Sequence, residues 1–378
     1  MTRPVAGKSF HPTQSIADHV EKVKFPQELF PECRWSRKGF MRTRWLFNDC
    51  QPLDLVNIHL FHDVSNLVAM EATPSPYAQN RQRALEYTLE CLSRQLGSES
   101  DERKSNDKHS DSIHRPATSP TTNDGQEVPL FIFGDFNFRL DTNKVIKRIT
   151  DGISPVVKKS ADGSEVVEFV YRRKTSQLEL TPQQPRNADN SSSSSLKETN
   201  PQSCTKPSTQ KHNESCQAVE NCIGQREEVF MTVGKKLFDF ERLDETFRAT
   251  KNTQWLLELD NELDSFKRKL HEFKISFSPS YPFKEDKTGG YSYMKTRCPA
   301  WCDRILFNTA GSRIIFSKNI KDNQSTIEDS EKKIDILQTQ GDVIYRLMGN
   351  SVPMGDHKPV FLYCILNMAS EKKNESQS

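Results

Sequence analysis

An apolar run from Val128 to Phe133 predicts a buried strand, and Gly134 interrupts it. Behind this glycine, Asp135, Asn137 and Arg139 alternate with two phenylalanines. With a period of two, the polar side chains face one way and the phenylalanines face the other. A carboxylate, an amide and a guanidinium on one face can take a proton, donate hydrogen bonds and neutralise phosphate charge. The alternative is a strand tip whose polar residues are merely solvated, and two later stretches of similar character favour the chemical interpretation.

Polar residues are concentrated in two segments of the 378-residue chain, of which 34% is hydrophobic. Residues 97–127 and 154–228 are rich in Ser, Thr, Asn, Gln and Lys, so they cannot bury enough apolar surface to offset their ordering entropy. We therefore predict one folded domain at residues 25–366 that two disordered insertions interrupt. A poorly ordered segment, residues 1–24, is expected before it and a disordered tail, residues 367–378, after it.

The formal net charge of +2 is nearly balanced, so any affinity for phosphate must come from a local cluster of cations. The nine cysteines form no Cys-x-x-Cys pair, and their odd number fits a reducing compartment better than a disulfide framework. The sequence contains no run of eighteen apolar residues, no visible secretory signal and no prenylation box. We expect a cytoplasmic monomer, with peripheral contact at the plasma membrane left open.

Hydrophobic periodicity predicts strands before, between and after helices, which indicates a layered α/β fold. Tyr77–Leu96 has the leucine spacing of a surface helix, and Lys236–Phe273 is predicted to carry two helices, the second with a long apolar stripe for core packing. Further strands are predicted at Leu53–Leu60, Arg304–Phe307, Arg313–Phe316 and Val360–Leu366. The segment around Arg42 and Arg44 alternates as a half-exposed strand does, and it is either a solvated basic strand or a wall that faces an anion.

Two further polar stretches precede predicted strands. The first, Lys295–Arg304, reads Lys-Thr-Arg-Cys-Pro-Ala-Trp-Cys-Asp-Arg and contains the Cys-x5-Arg spacing of cysteine-dependent phosphatases. Pro299 lacks an N–H and Asp303 would bring negative charge into an anion cradle, so we reject that chemistry and expect the two cysteines to be packing residues. The second, Met354–Val360, contains an Asp-His pair after a glycine and can place an imidazole in a site.

Taken in order, the stretches Gly-Asp-Phe-Asn-x-Arg, Pro-Ala-Trp-Cys-Asp-Arg and Gly-Asp-His-Lys-Pro-Val resemble the signatures of the inositol polyphosphate 5-phosphatases. These enzymes belong to the metal-dependent endonuclease/exonuclease/phosphatase superfamily. Phe30–Phe40 and Leu55–Asp63 are similar to the type I enzymes, which act on soluble inositol phosphates. The resemblance implies a DNase I-like α/β sandwich of two stacked mixed sheets flanked by helices, with the site at one end. It covers about residues 20–95, 128–150, 229–310 and 343–366.

The resemblance also implies a catalytic role for each matching position. Asp135 would orient or deprotonate the attacking water, Asn137 would hydrogen-bond the scissile phosphate, and His357 would stabilise the developing charge. His59 would be a second histidine in contact with the phosphate, and Asp303 would hold a histidine in position. In-line attack on a phosphomonoester builds charge on oxygen, which preorganised donors and a divalent metal stabilise.

Magnesium is the cofactor that the resemblance implies, with Asp356 in the metal and proton-transfer network as a ligand. The substrate-binding residues that it implies are Lys38, Arg139, Tyr281, Lys284, Lys295, Arg297 and Arg304, the last as a brace of its loop. The family's principal metal ligand is a glutamate in a Gln-Glu strand end, and no such element precedes Lys38. We therefore expect an N-terminally shortened form that lacks the family's first strands.

The expected function is Mg²⁺-dependent hydrolysis of the 5-phosphate of inositol 1,4,5-trisphosphate and 1,3,4,5-tetrakisphosphate, which would terminate calcium signalling. One alternative is the same chemistry on phosphoinositide lipids. Another is a catalytically impaired form that binds inositol phosphates without turnover. A nuclease is disfavoured by the balanced charge and by the Pro-Ala-Trp-Cys-Asp-Arg stretch, so no nucleic acid partner is expected.

Overall fold

The computed structural model describes residues 20–30, 37–47, 51–94, 127–175, 226–248, 254–285, 292–315, 334, 338, 341–349 and 354–367. The chain divides into two compact units, one formed by Met1–Tyr171 with Met231–Ser378 and the other by Arg172–Phe230. In the second unit, the described residues belong to the ends of two strands. Among the described residues, no helix has both the length and the apolar character that crossing a membrane requires.

The helices and strands follow the chain in this order: β1 (Val20–Lys24), β2 (Gly39–Phe47), β3 (Gln51–His59), α1 (Asn66–Glu71), α2 (Pro76–Arg94), β4 (Leu130–Asp135), α3 (Thr142–Ile149), β5 (Val156–Lys159), β6 (Val166–Thr175), β7 (Arg226–Gly234), β8 (Leu237–Phe240), α4 (Leu243–Arg248), α5 (Gln254–Leu257), β9 (His271–Glu272), β10 (Asp303–Phe307), α6 (Thr309–Ile314), β11 (Ile344–Leu347) and β12 (Val360–Tyr363).

A six-stranded mixed sheet forms the centre of the larger unit, with the spatial order β1-β2-β3-β4-β10-β9. The β3–β4 pair is parallel, and the other pairs are antiparallel. A four-stranded sheet has the order β5-β6-β7-β8, and β11 pairs with β12. The predicted layered α/β fold of stacked mixed sheets is confirmed.

The central strands are buried because apolar side chains cover both faces. On one face, α2 places Leu85 and Leu92 in the same core cluster as Ile58 and Ile132, all fully buried. On the other face, the Phe131 ring lies 5.8 Å from that of Phe307. The predicted buried strand and the predicted surface helix are therefore both present, with bounds that differ by one or two residues from those expected.

The N-terminal part of the domain differs from expectation, because Val20–Lys24 form an edge strand instead of a poorly ordered segment. β1 pairs antiparallel with β2, and Arg42 Nη1 lies 3.9 Å from Glu21 Oε2 across that pair. Exposed and half-buried residues alternate along β1. β1 therefore has too few buried apolar residues to show the alternation that predicts a strand. It is ordered by its hydrogen bonds to β2. Residues 1–19 lie outside the described residues.

The second predicted insertion, residues 154–228, is partly ordered as well. β5 and β6 form a hairpin in which Val156 pairs with Val170, and Gly163 at φ +75° turns the chain between them. The predicted disorder of residues 176–225, and of residues 97–126 in the first insertion, falls outside the described part of the chain.

The second of the two helices predicted in Lys236–Phe273, whose apolar stripe runs from Leu256 to Phe273, is wrong, although the stripe is core as expected. A short α5 and a 3₁₀ turn at Asp264–Phe266 replace it, while Leu256, Leu263, Phe266, Leu270 and Phe273 are buried. The reason is long-range. Buried arginines elsewhere in the chain bind the side chains of Asp260 and Glu262, and these contacts hold the segment as turns.

The strand predicted at Arg313–Phe316 is also wrong, because residues 309–314 form α6. Asn308 caps this helix: its side-chain oxygen accepts a hydrogen bond from the Gly311 N–H at 2.8 Å.

Candidate active site

Three predicted catalytic residues lie side by side at one end of the central sheet. His59 of β3 pairs with Asp135 of β4, and Asp303 of β10 pairs with Asp135 from the other side. Strand pairing thus brings together residues that are far apart in sequence. The site begins where these three strands meet.

A sharp turn follows β4. Gly134 has φ +136°, and a Cβ there would lie 2.2 Å from the Ile58 carbonyl oxygen, so only glycine permits the close approach of β3. Asn137 has φ +52°, and its N–H donates to Asp135 Oδ1 at 2.9 Å. Phe136 and Phe138 are buried as predicted, but Asn137 and Arg139 are also buried, because the chain turns inward instead of continuing as a strand.

The amide of Asn137 holds the carboxylate in place. Its Nδ2 donates to Asp135 Oδ2 at 2.8 Å and to the Leu60 carbonyl at 3.1 Å, and its Oδ1 accepts from Arg139 Nη2 at 2.8 Å. Both amide hydrogens are therefore used within the protein. The geometry makes Asn137 a positioning residue for Asp135.

Asp135 is surrounded by positive charge. His59 Nε2 lies 3.3 Å from Asp135 Oδ2 and 2.5 Å from Lys38 Nζ, so this nitrogen donates to the carboxylate in one tautomer and accepts from the ammonium in the other. Burial alone raises the pKa of Asp135, but the His59 hydrogen bond and the charges of His357, His59 and Lys38 outweigh it and lower the pKa. Asp135 is therefore ionised at neutral pH and can orient a water molecule.

His357 is held by Asp303, as the sequence predicts for one histidine. His357 Nδ1 lies 2.9 Å from Asp303 Oδ2, and Ser280 Oγ donates to the same oxygen at 2.7 Å. The Tyr281 ring lies 4.6 Å from the imidazole. Burial lowers the pKa of His357, but the hydrogen bond and charge of Asp303, followed by the charges of Asp135 and Asp356, outweigh it and raise the pKa. With Nδ1 engaged, Nε2 is the nitrogen left for a ligand.

These groups open onto a cavity of about 260 Å³. Nine of the predicted site residues line it: Lys38, His59, Asp135, Asn137, Arg139, Tyr281, Arg297, Asp356 and His357. Two more residues, His62 and Asp63, line it without having been predicted. Both residues lie shortly after β3, which ends at the predicted site residue His59. That position in the sequence could have identified them.

Two guanidinium groups of the lining have no carboxylate partner among the described residues. Arg297 donates to four carbonyl oxygens, two of which belong to Asp63 and Val64 at 3.2 Å each. Arg139 lies over the Tyr281 ring at 4.5 Å, and its Nε and Nη1 are buried without a hydrogen-bond partner in the described part of the chain. Such groups are suited to an anionic ligand.

Three predicted substrate-binding residues lie outside the cavity lining. Arg304 is buried, donates to Asp260 at 2.7 Å and forms a two-pronged contact with Glu272, so it braces its strand. Lys295 is exposed and its Nζ lies 2.7 Å from Asp239 Oδ1. Lys284 is exposed in the loop before residue 286. Asp303 also lies outside the lining, behind His357.

The structure supports the rejection of cysteine-dependent phosphatase chemistry. Cys298 and Cys302 are buried, and burial raises the pKa of both thiols, which keeps them protonated.

The structure also decides between the two interpretations of β2, a solvated basic strand or a wall that faces an anion. Arg42 and Arg44 donate to Asp54 at 2.7–2.8 Å instead of forming a wall that faces an anion.

Arg81 of α2 is a residue that the sequence analysis missed. It is fully buried, and it donates to Asp63 Oδ1 at 2.5 Å and to both oxygens of Glu262. Glu262 in turn accepts the Arg139 N–H at 3.0 Å. Arg81 therefore links two segments of the cavity wall. No local motif marks it, because its partners lie 18 and 181 residues away.

One group among the described residues could hold a metal ion. Asp135, Asp303 and His357 each offer a ligand atom, and these atoms lie within 4.8 Å of one another. Asp356, the predicted ligand, lines the same cavity but is not part of this group.

Comparisons with known proteins show which sequences this chain is similar to. A family profile described as Endonuclease/Exonuclease/phosphatase family 2 matches residues 243–363. Inositol polyphosphate-5-phosphatase A of Homo sapiens is 37% identical over 361 residues, which cover 95% of this chain and 64% of the human protein. A Caenorhabditis elegans protein named "Probable type I inositol 1,4,5-trisphosphate 5-phosphatase" is 30% identical over 349 residues, 91% of this chain and 66% of that protein.

The chain thus spans about two thirds of the length of these relatives. A solved structure, the inositol polyphosphate 5-phosphatase domain of SPsynaptojanin in complex with inositol (1,4)-bisphosphate and calcium ion, aligns with a TM-score of 0.34 and 14% identity, covering 93% of this chain and 57% of that one. That similarity is too low to support an argument about the site.

Proposed function

Because the chain belongs to the inositol polyphosphate 5-phosphatase family, we propose that its cavity hydrolyses the 5-phosphate of soluble inositol polyphosphates. Inositol 1,4,5-trisphosphate and 1,3,4,5-tetrakisphosphate are the proposed substrates, and their hydrolysis would terminate calcium signalling. The observation that supports this most is the convergence of Asp135, His59 and His357 with three cations in one cavity of about 260 Å³. A carboxylate that orients the nucleophile, together with fixed positive charge, favours hydrolysis of a phosphomonoester because it stabilises the charge that develops on oxygen.

We propose the following roles for the residues of the cavity. Asp135 accepts a hydrogen bond from the attacking water, whose oxygen forms the new bond to phosphorus as the bond to the inositol oxygen breaks. His357, charged and fixed by Asp303, donates from Nε2 to the phosphate as negative charge builds on its oxygens. Asp135 takes the proton of the attacking water and passes it through His59 to solvent, and the departing inositol oxygen takes up a proton from solvent water to leave as a hydroxyl.

A divalent cation fits the donor set. Mg²⁺ is bound by one or two carboxylates, with water and substrate phosphate completing its coordination. Asp135 and Asp303 supply two carboxylates, and each carboxylate has about four lone-pair sites, which exceeds the hydrogen bonds found here. When bound, the ion would neutralise phosphate charge. We propose Mg²⁺ held by these two residues, with Asp356 close by on the cavity wall.

Phosphate release from inositol 1,4,5-trisphosphate in the presence of Mg²⁺ tests this function. We expect turnover by the full chain and a loss of about 10²-fold or more in Asp135→Asn. The matched control is Asp151→Asn, an exposed turn residue at φ +49° that asparagine tolerates well. No release by the full chain, or equal rates in the two variants, would overturn the proposal. Faster release from a phosphoinositide lipid would replace the soluble substrate with the lipid.

A further inference from the structure

Two histidines of the cavity wall, His357 and His62, have different charged neighbours and mark two parts of one cavity, with Lys38 close to both. In the part that contains His357, the charges that act on the imidazole come from Asp303, Asp135 and Asp356. In the other part, the charges that act on His62 come from Lys38, Arg139 and Arg297, with Asp63 as the opposing carboxylate. The proposed reaction uses the first part and gives no role to His62.

Positive charge predominates in the second part. Asp63 is bound by the buried Arg81, which it shares with Glu262, so its negative charge is partly compensated. Arg297 donates to carbonyl oxygens, and two nitrogens of Arg139 have no partner among the described residues. The side chain of His62 is exposed on the cavity wall, where it can reach a ligand.

We propose that His62 is a specificity-determining residue that binds, as an imidazolium, a phosphate of the substrate other than the one hydrolysed. This inference rests on the proposed function, because it needs a ligand with more than one phosphate. A polyphosphorylated inositol would place one phosphate at Asp135 and His357 and bring a second to Arg139, Arg297 and His62. A monoester carries no second phosphate for these groups to bind.

Proton linkage supports this assignment. Partial burial, followed by the charges of Lys38, Arg139 and Arg297, lowers the pKa of His62, while Asp63 raises it. A bound phosphate offsets those cations and raises the pKa again, so binding takes up a proton. The affinity that His62 contributes is therefore greatest at low pH and falls as the pH rises through the pKa of the complex.

Other titratable groups line the same cavity: His59, Asp135, Tyr281, Asp356 and His357. These groups are the same in wild type and in every variant at position 62. A comparison of variants at position 62 therefore isolates the part that belongs to His62.

Calorimetry can measure the affinity of the full chain for inositol 1,4,5-trisphosphate. EDTA in the buffer prevents turnover, and buffers of different ionisation enthalpy report the number of protons taken up on binding. We expect His62→Gln to bind about tenfold or more weakly at pH 6 and to take up fewer protons than wild type. His62→Arg should keep the low-pH affinity up to pH 8.5. In turnover assays the difference should appear in KM, and a simple phosphomonoester should show no difference.

The pair of variants separates recognition from a structural role, because a structural role would weaken both. Equal binding by both variants and wild type, equal loss in both, or unchanged proton uptake would overturn the inference. Phosphate release without a difference between the variants would overturn it and leave the proposed function standing. The expected binding pattern without any phosphate release would support recognition by His62 and remove the proposed function.

Discussion

Asp303 shows how a residue outside the cavity lining controls a residue within it. The hydrogen bond and charge of Asp303 keep the pKa of His357 raised despite its burial. Because the proposed reaction uses the imidazolium form of His357, the rate should fall as the pH rises through that pKa. Asp303→Asn removes the charge, so we expect the high-pH limb of the kcat profile, measured at saturating Mg²⁺, to move to lower pH. A limb that stays in place, or one that moves to higher pH, would contradict this role.

Arg304 is expected to affect stability first and activity only as a consequence. Its guanidinium is buried between Asp260 and Glu272, and its loss leaves both carboxylates uncompensated. We expect Arg304→Met to lower the free energy of unfolding by about 3–5 kcal/mol. Urea denaturation measures this, with the exposed Arg313→Met as the control, which should change it by less than about 1 kcal/mol. Similar losses in the two variants would show that Arg304 does not brace the strand.

Site residues that belong to a local sequence motif could be predicted. Residues that only the fold brings to the site could not. Asp135, His59 and His357 were identified because each lies in a stretch that resembles a family signature. Strand pairing places His59 beside Asp135, and the loop before β12 brings His357 to the same cavity. Arg81 was missed because its partners are remote in sequence. Lys284 and Lys295 were expected at the substrate, yet neither side chain lines the cavity.

At the level of elements, the closeness of β3 and β4 depends on Gly134. An alanine Cβ there would meet the Ile58 oxygen at 2.2 Å, and φ +136° is strained for any side chain. At Gly163, φ is +75° and nothing lies within 4 Å, so alanine there adds backbone strain alone. We expect Gly163→Ala to cost about 1 kcal/mol and Gly134→Ala clearly more, with loss of activity, because strand separation displaces Asp135. Equal unfolding midpoints would contradict this.

The elements that the sequence predicted well are those with strong local patterns, such as β4 and α2. The helix expected near residues 256–273 failed because its apolar spacing reports burial and not backbone hydrogen bonding. Asp260 and Glu262 are bound there by arginines from β10 and α2. β1 was missed for the opposite reason, since its order depends on β2 and its side chains are mostly at the surface.

At the level of the whole molecule, the near-neutral charge of +2 does not attract anions, whereas one cavity collects Lys38, Arg139, Arg297 and three histidines beside three aspartates. Under the proposed function, recognition of the anionic substrate depends on that cavity and not on the net charge. We expect activity on inositol 1,4,5-trisphosphate to be lost in EDTA and restored by Mg²⁺, because the two carboxylates at Asp135 and Asp303 fit a hard divalent cation. Full activity after removal of divalent ions would contradict this prediction, because it would show that hydrolysis needs no metal ion.

The most direct measurement is the identity of the products formed from inositol 1,4,5-trisphosphate in ¹⁸O-labelled water. Attack of an Asp135-oriented water on phosphorus predicts inositol 1,4-bisphosphate and inorganic phosphate that carries a single labelled oxygen, with a much slower reaction in Asp135→Asn. Release of the 1- or 4-phosphate, label in the inositol hydroxyl, or no hydrolysis by the full chain would contradict the assignment of this cavity as a 5-phosphatase site.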